Sequence, residues 1–250
     1  MPDIDKLQAI LGRAEHLLSA IVAELFASRP IAKARAAVSK YETELEDEYE
    51  QWAQETADKL AKAKDGDREK VLAAALLLLL ALLKRKGAEN LPDAIDIALA
   101  GADPSGDIED LLDEALNENE DFLKKSLVPD IMARMKEQLG TPAVIAAIAG
   151  GTGAEVIAGI LGGFTARTGT YSGEFWKLYN QATGVIADEN KSKVTAYLDP
   201  AAQHCSECPE FHSVEGTEYE NYAAYLEATD NRVPGQFECA GNCRCWLEFG

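Results

Sequence analysis

All five cysteines of this chain lie between Cys205 and Cys245, and none occurs before position 205. A chain of 250 residues can bury a sizeable core without covalent staples, so the fold as a whole does not depend on them. Their crowding marks a local device instead. No secretory signal opens the sequence: Met1-Pro2-Asp3-Ile4-Asp5 is acidic, and Lys6, Arg13, Glu15 and His16 interrupt the apolar residues that follow. The expected setting is a reducing cytosol, where clustered thiols bind metal more often than they form disulfides.

Cys205-Ser206-Glu207-Cys208 is a knuckle that lets two thiolates reach one ion, and Cys239, Cys243 and Cys245 supply three more sulfurs. The first choice of ligands is Cys205, Cys208, Cys239 and Cys243, with Cys245 in reserve and His204 and His212 as weaker candidates. The expected ion is a structural Zn2+, because four thiolates leave no open position for water. A zinc deaminase would need its glutamate two residues after the ligand, and then Pro-Cys-x-x-Cys. Here His204 and Glu207 have the wrong gap, and Pro209 follows the cysteine pair. There is no His-Glu-x-x-His, and no Ser/His/Asp or Cys/His set can be nominated, so no catalytic residue is expected and the chain reads as a non-enzyme.

The net charge of −19 opposes a sequence-independent grip on nucleic acid. Residues 199–250 share that acidity, with only Arg232 and Arg244 as bases, which counts against a nucleic-acid finger. Apolar residues at 47% and charged ones at 27% suit a globular protein, and abundant Ala and Leu favour helices.

Helical spacing runs from Ile4 to Leu25 and stops at Ser28-Arg29-Pro30. A second helix over about 31–63 carries the stripe Tyr41, Leu45, Tyr49, Trp52 and Leu60, with Lys40, Glu44, Glu46 and Glu48 facing solvent. Asp65-Gly66-Asp67 marks a turn. Val71–Leu83 is almost wholly apolar and, at about 20 Å as a helix, falls short of the roughly 30 Å of a bilayer core. It reads as a central core helix ended by Gly87, followed by helices over Leu91–Ala100 and Ile108–Leu127 and another from Pro129 to Gly140.

Ala143–Phe164 is built from Ala, Ile, Val and Gly. Its glycines lack the Lys-Ser/Thr or three-glycine spacing of a phosphate loop, so close helix packing is the expected use. An amphipathic helix is expected from about 154 to 183, ending at Gly184. Lys193–Leu198 and Arg244–Phe249 then alternate as strands. The resulting fold class is mainly α. It comprises an N-terminal helical domain (1–140), a Gly/Ala-rich segment with a long connecting helix (141–184), and a small C-terminal α+β zinc-stapled module (185–250).

Residues 155–250 resemble the Mu F-like phage head morphogenesis (minor head) family. The matching residues are Ala166-Arg167-Thr168, Tyr179-Asn180-Gln181-Ala182, Asp199, the Cys205/Cys208 pair, Gly216, Pro234 and the terminal Cys243-Arg244-Cys245. Tyr197 stands where the family usually has Trp, Asp199 precedes Cys205 by a longer spacing, and Cys239 stands near a family histidine. The resemblance implies a low-copy component of the virion head at the portal vertex, assembled in the bacterial host cytoplasm. Its partners would be the portal or major capsid protein, with an oligomer imposed by the vertex, and its role head assembly or DNA packaging and delivery. Two other readings compete. One is a packaged ejection protein that meets membrane through Val71–Leu83 and Ala143–Phe164 after release. The other is a zinc- or thiol-dependent enzyme.

Overall fold

The computed structural model describes residues 30–100, 106–165, 169–200, 204–238 and 244–250. The helix expected over 4–25, the Ala166-Arg167-Thr168 motif, Cys239 and Cys243 lie outside those residues. Helices dominate, and a small antiparallel sheet closes the chain.

Helix α1 (Pro30–Lys62) begins with proline, whose missing N–H costs nothing in a first helical turn. A turn at Asp65–Asp67 reverses the chain into α2 (Arg68–Leu99). The expected stripe of α1 is the face that disappears: Tyr41, Leu45, Tyr49, Trp52 and Leu60 pack against Leu72, Leu76, Leu79 and Leu83 of α2. Trp52 buries its indole without orphaning its N–H, which donates to the Ala75 carbonyl at 2.8 Å. Glu44 and Glu48 do not simply face water. They hold the ammonium of Lys86, 8% exposed, at 3.1 and 2.9 Å.

Gly87 does not end α2, which continues through Pro92 to a left-handed residue at Ala100 (φ 50°). Instead Gly87 lies in a close contact with α3 (Gly106–Phe122): a β-carbon there would sit 2.6 Å from the Asn119 amide nitrogen. The two helices expected on either side of Gly87 are therefore one. From α3 the chain passes through a wide π turn at Leu123–Leu127 directly into α4 (Val128–Leu139). The Val128 N–H reaches back five residues to the Leu123 carbonyl. Pro129, which has no N–H to continue a regular ladder, follows at the start of α4, so the widened turn absorbs the break.

Helices α5 (Pro142–Ala149) and α6 (Gly153–Gly162) complete one core, contributing Val144, Ile157 and Leu161. The helix expected over 154–183 is two helices. Low helix propensity at Gly159, Gly162 and Gly163 ends α6, Phe164 turns inward, and α7 starts afresh (Gly169–Glu189). A second core joins the first turns of α1 (Ile31, Ala34, Val38), the end of α2 (Leu91, Ile95, Leu99), α3 and the face Phe175, Trp176, Tyr179 and Ile186 of α7. Gly184 does not end α7. It makes room for the Tyr222 ring, which a β-carbon would meet at 2.2 Å.

Both expected strands form, as β1 (Val194–Tyr197) and, at the end of the chain, β3 (Trp246–Phe249). Between them lie α8 (Cys208–Phe211), the unanticipated β2 (Thr217–Tyr219) and α9 (Tyr222–Ala228). Sheet order is β2-β1-β3, with Ala196 opposite both Thr217 and Leu247.

Candidate metal centre

Three segments bring the sulfurs together. The first follows β1, the second is the one-turn helix α8, and the third is the approach to β3. Cys205 Sγ lies 3.4 Å from Cys208 Sγ, as a two-residue knuckle requires. Cys208 and Cys245 are fully buried against Phe237, with Leu198 and Phe211 alongside. A ring nitrogen of His204, Cys208 Sγ and Cys245 Sγ all lie within 4.8 Å of one another, and His204 Nδ1 to Cys245 Sγ is 3.7 Å. No disulfide joins Cys205, Cys208 or Cys245. A cluster of two buried thiols, a third beside them and an imidazole can hold a metal ion. Among the described residues, Cys245 and His204, the reserve and a weaker candidate in the sequence, sit with Cys208 beside Cys205, while Cys239 and Cys243 lie outside those residues.

His212 is placed differently. Its Nδ1–H donates to the Cys208 carbonyl at 3.0 Å, and its Nε2 faces the Tyr225 hydroxyl at 3.2 Å. Both ring nitrogens are occupied, so this buried histidine braces the knuckle from behind rather than offering a ligand atom. Glu207 and Glu238 come within 4.8 Å of Cys205. Glu207, however, binds Arg232 with one oxygen at 2.9 Å and accepts the Glu238 N–H with the other at 3.0 Å. The Arg232 guanidinium beside it holds the Glu207 carboxyl below the usual range.

Several positions that carry the resemblance lie within the described residues, some of them at this centre. Asn180 of α7, fully buried, accepts the Leu247 N–H at 2.8 Å and donates to the Trp176 carbonyl at 2.7 Å and the Cys245 carbonyl at 3.4 Å. One side chain thereby substitutes for a neighbouring strand along β3. Tyr179, its neighbour, is buried in the second core, and burial pushes its phenol pKa up. The Asp199 carboxylate pairs with Arg35 of α1 at 3.1 Å, and Arg244 pairs with Glu42 of α1. The Arg35 guanidinium also lies 4.6 Å above the Trp246 ring, which stacks on Tyr197 at 5.1 Å. Gly216 adopts φ 93° where a β-carbon would strike Thr195.

Arg35 and Glu42 are neighbours of the site that sequence reasoning missed. They sit in an ordinary charged helix, more than 150 positions from the residues they hold. The one legible signal for His204 was its place directly before the knuckle. Compared with family models, curated proteins and solved structures, the chain matches none.

Proposed function

We propose that the chain is a structural minor head protein of a tailed phage, associated with the portal or capsid. In this reading its C-terminal module is stapled by a zinc ion bound through the Cys205/Cys208 pair and the C-terminal cysteines. The observation that supports it best is the position of the thiol cluster at the seam between the helical body and the small sheet. There Asn180 bonds the Cys245 carbonyl and the Leu247 N–H, and Asp199 and Arg244 pair with Arg35 and Glu42 of α1. Three of the residues that carry the resemblance, Asn180, Asp199 and Arg244, thus join module to body, which supports a structural role. A charge of −19 suits a protein that shares a capsid with DNA without gripping it.

Native mass spectrometry with portal and major capsid proteins, together with an inventory of purified particles, tests the reading. Association and a stoichiometric presence are expected; neither being found would overturn it. A second reading, a packaged ejection protein, draws on Leu77 and Leu78 of α2, which are 67% and 60% exposed beside Ala74 and Ala81. Among the described residues no helix is long and apolar enough to cross a membrane. Liposome flotation of the full chain decides this alternative, and absence of binding ends it.

A further inference from the structure

We infer that His204 is the fourth ligand of this metal, through Nδ1, and that the site is built from Cys205, Cys208, Cys245 and His204. The inference rests on the reading that the module binds a metal, and it departs from an all-cysteine set drawn from the sequence.

Tetrahedral geometry supplies the first argument. With Zn–S near 2.3 Å and Zn–N near 2.0–2.1 Å, the edges of a tetrahedron are about 3.8 Å between two sulfurs and about 3.6 Å between sulfur and nitrogen. The observed edges are 3.4 Å from Cys205 to Cys208 and 3.7 Å from Cys245 to His204. Each pair is within reach of one ion, and Cys205, which lies outside the 4.8 Å group of His204, Cys208 and Cys245, joins it by turning its side chain toward that group. Cys208 belongs with both pairs, because its sulfur lies within 4.8 Å of the His204 ring nitrogen and of Cys245 Sγ.

The second argument concerns the proton on the imidazole and is independent of those distances. His204 Nε2 sits 2.5 Å from the backbone carbonyl of Asp199. A carbonyl only accepts, so Nε2 carries the hydrogen and the neutral ring keeps its lone pair on Nδ1, the nitrogen that faces the thiols. Metal-binding histidines are oriented in this manner, by donating the remote N–H to a carbonyl or carboxylate. His212 provides the contrast within the same module, since both its nitrogens are engaged away from the sulfurs.

The carbonyl that orients His204 is itself held. Asp199 directly follows a strand end at which the Leu198 N–H donates to the Ser213 carbonyl, and its carboxylate is paired with Arg35 of α1. Cys245 is gripped on the other side, where Asn180 bonds its carbonyl and Arg244 reaches Glu42. The body therefore orients a ligand from each side of the site.

Spectroscopy on the full chain tests the assignment, with Co2+ and 113Cd as probes in protein purified under reducing conditions. Wild type is expected to bind one ion per chain with a three-sulfur, one-nitrogen signature in both the cobalt absorption bands and the cadmium chemical shift. His204→Cys should keep that stoichiometry and move both signals to the four-sulfur pattern. His204→Ala should weaken binding by more than the about 10- to 100-fold that loss of an outer-shell partner costs. Cys239→Ser and Cys243→Ser should leave the wild-type spectra in place. A four-sulfur signature in wild type, unmoved by His204→Ala and lost in Cys239→Ser or Cys243→Ser, would overturn the ligand assignment while sparing the zinc reading. Failure of wild type to bind either ion would overturn both.

Discussion

The helical body and the C-terminal module are held together by different physics. Where α1 faces α2, successive turns of Tyr, Trp and Leu vanish from solvent, and α4, α5 and α6 seal the ends with Ile131, Met135, Val144 and Leu161. The sheet cluster of the module buries Ala187, Val194, Ala196, Tyr225, Val233 and Leu247, several of them small. Beneath it Phe237 lies against two buried cysteines. Apolar burial grows with area and needs no direction, so the body tolerates adjustment. The module relies on directed contacts: Asn180 on β3, His212 on Cys208 and Arg232 on Glu207, beside a thiol–imidazole cluster able to hold an ion. Such contacts are costly to leave half made.

On the proposed zinc reading, the largest effect should come from removing the metal. Structural zinc contributes on the order of 10 kcal/mol in small modules, more than a sheet of this size can replace. Chelation is expected to expose amides of 194–198, 208–228 and 246–249 to hydrogen exchange while α1 and α2 remain protected. Loss of protection throughout would show that the two regions are not separate in this sense. Next comes Leu79→Ala, at a fully buried α2 position. It should cost about 3–5 kcal/mol in urea unfolding of the helices and leave metal stoichiometry unchanged.

Asn180→Ala probes the seam. It leaves the Leu247 N–H and the Cys245 carbonyl short of a buried partner, for about 1–3 kcal/mol, read as selective loosening of β3. An equal loss across all helices would instead assign Asn180 to the body. The smallest effect concerns Glu174. Burial pushes its pKa up and Glu118 adds to that, against the pull of Lys177, whose Nζ lies 3.7 Å away. The raised folded-state pKa means that its contribution is favourable below the ordinary carboxylate range and is lost as pH rises through the raised value. Glu174→Gln should therefore gain on wild type as pH climbs toward neutrality. A difference independent of pH would contradict this.

The sequence made some of this legible and hid the rest for identifiable reasons. The stripe of α1 stood out because one face of a long helix repeats many times, and each repeat adds signal. Gly87 and Gly184 misled for one shared reason. A glycine that ends a helix and a glycine that admits a neighbour look alike until Asn119 and Tyr222 are seen beside them. The Cys205/Cys208 pair was legible from local spacing. That Cys245 and His204 join Cys208 was not, because their meeting depends on the antiparallel register that sets Tyr197 opposite Trp246. Arg35 and Glu42 left no local trace at all.

One feature of the body bears on how it responds to load. Helices α1 and α2 each run through both apolar cores: Val38 and Leu60 lie in different clusters on one helix, as do Leu76 and Ile95 on the other. At 1.5 Å per residue each is a strut of about 50 Å, and in α2 Pro92 leaves one gap in the hydrogen-bond ladder. Pivoting of the two cores about one another is opposed by α1, which runs through both antiparallel to α2 and carries no interior proline. A push on the α5–α6 end should arrive at the thiol-bearing end as a displacement of similar size, making the body stiff along its length. Compliance is left to the seam, where side-chain contacts such as Asn180 on β3 and one short connection from α7 to β1 carry the strain.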